Sequence, residues 1–311
     1  MIEKPMDVLE QFPIRKSKKQ KALFRDEVMT YLQSKGYSVR VEVKGGNAEN
    51  IVIGDADTAK YLITAHYDTP ASIGLPNILT PCNLLMFILW QILLVAVFIV
   101  AAVVPGVLIG LLLDDPIMAG RISGLIYWVL LILMIAGPAN KHNANDNTSG
   151  VVTLLETAAA WPEDKRDMVC FVMFDKEELG LVGSATYRKA HKESTDKQIV
   201  LNLDCVGDGD EIVFFPMKKL KKDRDKMELL RKFNGARGNK LMYVIEKGFA
   251  IYPSDQKHFP YGVGIAAFRR RKGIGLYVDR IHTHRDTILE EENINYLRDT
   301  LLTLADVNAV E

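Results

Sequence analysis

The stretch VCFVMFDKEELGLVGS, from Val169 to Ser184, decides how this chain is read. Val169 to Phe174 is an unbroken apolar run of strand length, the pattern of a strand buried on both faces of a helix-covered sheet. Asp175, Glu177 and Glu178 follow at once. Unpaired carboxylates beside a buried strand cost several kcal/mol or give up their charge. Either they lie in the first turn of a helix that Leu179 begins, where acidic side chains meet free N–H groups, or they serve chemistry at the end of the strand.

Outward from there, strand-like and helix-like segments alternate. Upstream, a segment from about Lys16 to Lys35 carries apolar positions at helical spacing and stops at Gly36. YSVRVEVKGG and NIVIGD read as a β-hairpin, and KYLITAHYD as an apolar strand with a polar end. In NDNTSGVVTLLETAAAW, Asn147, Thr148 and Ser149 can cap a helix whose apolar face holds Val151, Val152, Leu154, Leu155 and Ala158. Downstream come a helix over roughly Gly183 to His191, the strands QIVLNLDCVG and EIVFFP, and the basic helix MKKLKKDRDKMELLRKF. The strands LMYVIE, GIAAF and GIGLYVD and a closing helix from about Glu290 to Val307 complete the pattern. Apolar strands separated by helices imply one α/β domain with a mixed, mostly parallel sheet covered on both faces. In that architecture the residues just past the C-terminal ends of strands line the functional crevice.

Of the 311 residues, 39 are basic and 39 acidic, so bulk charge gives no basis for a nucleic-acid partner. Cys82, Cys170 and Cys205 fit neither a zinc-finger spacing nor a disulfide framework and read as small core hydrophobes in a reducing compartment. The N-terminus lacks the apolar stretch of a signal peptide. Leu84 to Leu113, however, contains no charged residue, and ISGLIYWVLLILMIAG (Ile122–Gly137) adds a second apolar run. The first is long enough to cross a hydrocarbon core even if Pro105-Gly106 ends or kinks it; the second suffices with its uncharged flanks. The expectation is a transmembrane helical hairpin over residues 77–137, inserted into a globular part formed by residues 1–76 and 138–311. Asp114, Asp115 and Arg121 lie near its turn, whereas Lys141 and the basic N-terminal region lie at its base, which favours a cytoplasmic globular part. Lys218–Lys226 and Arg269–Lys272 are either solvated faces or contacts with anionic headgroups of the lipid bilayer.

The ends of the strands collect His66 and Asp68, then Asp146, Glu177 and Glu178, Asp204 and His282. Converging histidines and carboxylates would repel and desolvate one another without a cation. Mixed imidazole and carboxylate donors suit zinc and its first-row neighbours, where magnesium or calcium would prefer oxygen alone. Five such side chains are what two ions sharing one bridging carboxylate need, a pair able to activate a water and polarise the group it attacks. Glu177 and Glu178, being adjacent, cannot easily both ligate, which leaves one as proton acceptor. Asp68 is placed to accept the second imidazole N–H of a ligand histidine.

The order TAHYDT, NANDNTSG, FDKEELGLVGS, LNLDCVG, SDQKHF and HTHRDT resembles the M28 family of co-catalytic zinc exopeptidases, from about Tyr37 to the last helix. The resemblance implies a three-layer α/β/α fold with two zinc ions. It makes Asp146 the bridging ligand, with Glu178 and His282 on one ion, His66 and Asp204 on the other, Glu177 the general base and Asp68 the residue that orients His66. His282 matches the family's His-Thr order, with His284 as the alternative. SDQKHFPYGVGI resembles the segment before the substrate pocket, with Ser254 and Asp255 in its first positions. The chain departs from the family in the long hairpin between its His-x-Asp motif and the bridging aspartate, and in carrying Asn143 where a glycine is common.

The resemblance implies hydrolysis of a peptide bond at a free N-terminus, and the hairpin, inserted between two of the candidate ligands, would set the crevice close to a membrane surface. Two readings compete with this aminopeptidase. One is a non-catalytic scaffold on the same fold; the other is a dizinc amidase acting on non-peptide amides.

Overall fold

The computed structural model describes residues 2–72, 74–75 and 77–307. Its strands are β1 (Val39–Val43), β2 (Glu49–Ile53), β3 (Tyr61–His66), β4 (Val169–Phe174) and β5 (Ile199–Leu203), then β6 (Glu211–Pro216), β7 (Gly235–Arg237), β8 (Lys240–Val244), β9 (Gly262–Arg271) and β10 (Gly275–Tyr277). The helices are α1 (Asp7–Gln11), α2 (Lys18–Ser34), α3 (Leu84–Leu112), α4 (Pro116–Ala136) and α5 (Gly150–Ala160), then α6 (Val182–Ala190), α7 (Lys192–Thr195), α8 (Lys218–Lys221), α9 (Arg224–Arg231) and α10 (Glu291–Leu302).

Alternation along the strands builds the layers. Tyr61, Ile63 and Ala65 of β3, Val169, Phe171 and Met173 of β4, and Leu201 and Leu203 of β5 point into one core with residues of α2, α5, α9 and α10. Leu62, Cys170, Val172, Phe174 and Val200 point the other way, to a smaller core with Tyr187 of α6 and Phe259. Burial on both faces is why these strands read as continuous apolar runs. The sheet order is β1-β2-β4-β3-β5-β9-β6-β8-β7, with β10 beside β9. The centre, β4-β3-β5-β9, is parallel, and antiparallel strands flank it. This is the expected mixed sheet between helical layers.

Parallel pairing brings the strand ends into register. His66 pairs with Phe174, and Thr64 with Asn202, so the residues following β4 and β5 emerge beside His66. The apolar hairpin leaves the same edge: Leu79 bridges Val278, and Asn83 donates to the Ile274 carbonyl just before α3 begins.

Several local expectations are corrected or refined. The carboxylates after β4 do not open a helix at Leu179. The chain makes a tight loop in which Lys176 (φ 58°) and Leu181 (φ 61°) take left-handed backbone conformations, and α6 starts only at Val182. α2 begins after Ser17, because the Ser17 hydroxyl takes the Gln20 N–H while the Gln20 side chain takes that of Ser17, a closed capping box. The single basic helix is two, since Asp223 turns to cap α9 by accepting the Lys226 N–H. The last strand is short, covering only Gly275–Tyr277. α3 runs through Pro105 to Leu112.

α3 and α4 pack on each other as an antiparallel pair. Ala102, Gly106 and Gly110, one turn apart, are buried on the contact side, and a Cβ at Gly106 or Gly110 would fall on Ser123 or Ala119. Small residues at this spacing let two helix backbones approach closely. The remaining faces are exposed and apolar, and no residue of α4 is buried. Both helices are long and apolar enough to cross a membrane.

Candidate metal centre and active site

Each side chain of the site is delivered by a chain segment that leaves the same edge of the sheet. His66 is the last residue of β3, Asp204 follows β5, Glu177 and Glu178 sit in the loop after β4, and Asp146 lies in the turn leading into α5. His282 comes from the loop after β10, in a left-handed conformation at φ 61°. All five predicted ligand side chains meet. His66 Nε2 lies 3.3 Å from Asp146 Oδ1 and 3.8 Å from Asp204 Oδ1. His282 Nε2 lies 2.9 Å from Asp146 Oδ2 and 3.6 Å from Glu178 Oε2. The two oxygens of Asp146 thus face different histidines.

These contacts define two donor sets that share Asp146: His66 with Asp204, and Glu178 with His282. A third grouping joins His66 and Glu178, one from each set, with Glu177. Donors bonded at ~2.0–2.2 Å around a tetrahedral ion stand roughly 3.3–3.6 Å apart. The observed separations of 2.9 to 3.8 Å bracket that edge length. The electrostatics also call for a cation. Burial raises the proton affinities of the Glu177 and Glu178 carboxyls well above the ordinary glutamate range. Neighbouring carboxylates add to it, Glu178, Asp255 and Asp204 at Glu177, and Asp146, Asp68 and Asp204 at Glu178. Burial opposes charge on His66 too, but Glu177, Asp146, Asp204 and Asp68 outweigh it and lift the imidazole well above its usual value. Asp146 is held below the usual carboxylate range despite burial, because both histidines bond to it. Glu178 Oε1 and His66 Nδ1 are buried without a hydrogen-bond partner among the described residues. The residues present fit zinc.

Asp68 lies 3.5 Å from His66 Nδ1, longer than a hydrogen bond. Its firm contacts are elsewhere, because its two oxygens accept the backbone N–H groups of Glu177 (3.0 Å) and Glu178 (3.2 Å). The expected partner of the histidine is therefore mainly the anchor of the acidic loop. The asparagines around Asp146 tie the edge together. Asn147 Nδ2 donates to the Leu203 and His66 carbonyls, its Oδ1 accepts from Gly150 and Cys205, and Asn145 Oδ1 accepts from Gly207 and Asp208.

Two supporting residues escape a reading of the sequence. Asp286 accepts the N–H groups of Asn145 (2.8 Å) and Asp146 (3.0 Å), and burial beside Asp146 pushes its carboxyl up to about 7. Its one signal was its place in HTHRDT, four residues beyond His282. Arg15 is fully buried and donates to the Tyr67 and Phe12 carbonyls and to Thr148 Oγ1; desolvation lowers it to about 10 against the pull of Asp68 and Asp146. His282 lines the cavity, whereas His284 is exposed and does not. Asp255 is fully buried near the site, where burial pushes it to about 7, and Ser254 accepts from Asn202 Nδ2.

The site opens into a cavity of ≈ 310 Å³. A sequence profile described as Peptidase family M28 matches residues 133–305. The chain belongs to this family. No curated protein matches it. Among solved structures it is similar to Porphyromonas gingivalis glutaminyl cyclase (17% identity, 95% of this chain and 93% of that one, TM-score 0.56). It is also similar to a Zn-dependent exopeptidase from Parabacteroides distasonis (16%, 96% and 94%, TM-score 0.55) and to the LapA aminopeptidase of Legionella pneumophila (15%, 97% and 70%, TM-score 0.54). At these identities the likeness is one of fold, and the M28 fold here carries both peptidases and cyclases. Membership supports a zinc-dependent peptidase-type enzyme.

Proposed function

We propose that this M28 protein is a membrane-anchored aminopeptidase that hydrolyses the first peptide bond of its substrates, with two zinc ions held by His66, Asp146, Glu178, Asp204 and His282. The observation that carries the reading is the pair of donor sets sharing Asp146 while Glu177 remains outside both. When bound, such ions lower the pKa of a water and polarise the scissile carbonyl. Asp146 spans both sets through separate oxygens and so fixes their spacing. Glu177 is the general base: it takes the proton of the attacking water and hands it to the leaving amine. Asp68 holds the Glu177 and Glu178 backbone and thereby aims both carboxylates.

The apolar hairpin anchors the enzyme with its catalytic part on the cytoplasmic side. The lengths of α3 and α4 and their exposed apolar faces support insertion, and Lys16, which donates to the Ile135 carbonyl, lies at the hairpin's base. Peptides at the membrane surface are the substrates this placement favours.

The test is metal content and hydrolysis of aminoacyl arylamides by detergent-solubilised protein beside Glu177→Gln. The expected result is two zinc per chain in both, with turnover lost in the variant by about a thousandfold or more. Normal activity in Glu177→Gln would remove Glu177 from its role. Release of ammonia from N-terminal glutaminyl peptides without arylamide cleavage would make the protein a cyclase, and a chain that binds no zinc would be a scaffold.

A further inference from the structure

The catalytic cavity has a wall that the peptidase motifs do not supply. Besides the metal-binding side chains it is lined by Phe87 and Gln91 of α3, by Leu79 in the strand-like approach to that helix, and by Ile281 beside His282. The apolar insertion therefore reaches the reacting centre.

Helix lengths show which part of the hairpin does so. α3 has 29 residues and α4 has 21, ~43 Å against ~31 Å at 1.5 Å per residue. Gly106 meets Ser123, Gly110 meets Ala119, and Val97 and Ala101 share a crevice with Leu130 and Met134. Extended along the antiparallel pair, that register sets Ala136, the last residue of α4, roughly level with Leu93. The first two turns of α3 thus stand beyond the end of α4, and the remainder, from Ile92 on, still suffices for a hydrocarbon core of ~30 Å. Phe87 and Gln91 lie on those two protruding turns.

Gln91 is the only residue of α3 with an amide side chain, and no hydrogen bond engages that side chain among the described residues. An amide donor and acceptor without partners is costly in lipid, and polar side chains in apolar helices characteristically face a cavity or a pathway. Here the cavity is the catalytic one. An amide offers both a donor and an acceptor, the pair that a peptide backbone requires. Phe87, Leu79 and Ile281 add an apolar surface beside it.

We propose that the first two turns of α3 form the specificity wall of the active site. Phe87, with Leu79 and Ile281, receives an apolar side chain next to the scissile bond, and Gln91 hydrogen-bonds the substrate backbone. The preferred substrates are peptides with an apolar N-terminal residue, taken up at the membrane boundary. This rests on the aminopeptidase reading above.

The test uses the full chain, zinc-loaded and reconstituted in phosphatidylcholine vesicles, with leucyl, phenylalanyl, alanyl and lysyl arylamides. Phe87→Ala is expected to reduce the leucyl-to-alanyl ratio of kcat/KM by about tenfold, the discrimination that a few apolar groups provide. Gln91→Leu is expected to raise KM about five- to tenfold for every substrate with kcat little changed. Leu85→Ala, on the exposed side of the same turns, leaves both unchanged. In parallel, Gln91→Cys is treated with a membrane-impermeant maleimide and mapped by peptide mass. Labelling at position 91, slowed by leucine hydroxamate, is expected, while Leu93→Cys stays unlabelled. Unaltered selectivity and KM in the Phe87 and Gln91 variants, or a thiol in Gln91→Cys that no aqueous reagent reaches, would overturn the proposal. A parent protein silent on all four arylamides would instead overturn the aminopeptidase reading, while labelling of Gln91→Cys would still decide whether α3 walls the cavity.

Discussion

At the scale of the residue, Asp286 supports the candidate metal site without belonging to either donor set. Its two oxygens hold the N–H groups of Asn145 and Asp146, so they set the angle from which Asp146 presents its carboxylate to both histidines. Asp286→Ala is expected to weaken zinc affinity by about 10- to 100-fold, the usual effect of removing a support behind a ligand. Zinc titration against a competing chelator measures this, with Asp286→Asn intermediate because it retains one acceptor oxygen. Parent-like affinity in Asp286→Ala would mean that the asparagine network alone seats Asp146. The residues of the candidate site could be named because histidines and carboxylates past strand ends are chemically conspicuous, and the M28 resemblance implied their division into two sets; the structure brings them together. Asp286 and Arg15 could not, because a carboxylate that accepts backbone N–H groups and a guanidinium that donates to carbonyls follow no periodicity. Asp68 was half legible: its proximity to His66 was expected, but its bonds to the loop of Glu177 and Glu178 depend on how β3 and β4 pair.

At the scale of the element, strands with alternate residues in two cores were read correctly because burial on both faces leaves an unbroken apolar run. Helix boundaries were less legible where a side chain rather than hydrophobicity decides them, as Ser17 and Asp223 do through their caps. Side-chain pairing across strands is likewise hidden until the sheet order is known. On the β6–β9 antiparallel pair, Glu211 accepts from Arg270 Nε (2.5 Å) and Nη2 (2.7 Å) and from the Tyr243 hydroxyl of β8 (2.7 Å). The Arg270 bond is the main cause that holds the Glu211 carboxyl below its usual value. A depressed carboxyl contributes stability that is fully present above its unfolded value near 4.5 and is lost as pH falls through the folded one. Thermal melting of the parent and Glu211→Gln is therefore expected to differ most at neutral pH and to converge as pH falls from 4.5 through the lowered folded value. A gap that stays constant from neutral to acid would assign the effect to packing rather than to the charge.

At the scale of the whole molecule, the buried cores and the hairpin share no residues, yet both line the cavity of the candidate site. Among the described residues, no buried core cluster contains a residue of α3 or α4, and the two helices pack against each other. Composition made the hairpin legible, but not that its first turns line the cavity of the candidate site, because α3 is uniformly apolar apart from Trp90 and Gln91 and its first turns read like the rest of the helix. This division predicts opposite outcomes for two excisions. Replacing residues 93–135 by a short Gly/Ser bridge removes the exposed apolar faces but keeps Phe87 and Gln91, and the ends to be joined are roughly level and about one helix-packing distance, 8–10 Å, apart. That protein should remain in the supernatant after ultracentrifugation without detergent, bind zinc as the parent does and keep the parent's preference for leucyl over alanyl substrates. Replacing residues 84–136 should also give a soluble, zinc-binding protein, but one whose leucyl preference falls by about tenfold. If both excisions kept the preference, α3 would be an anchor alone. If neither bound zinc, the hairpin would hold the metal edge together through Leu79 and Asn83, and the two parts would not be separable after all.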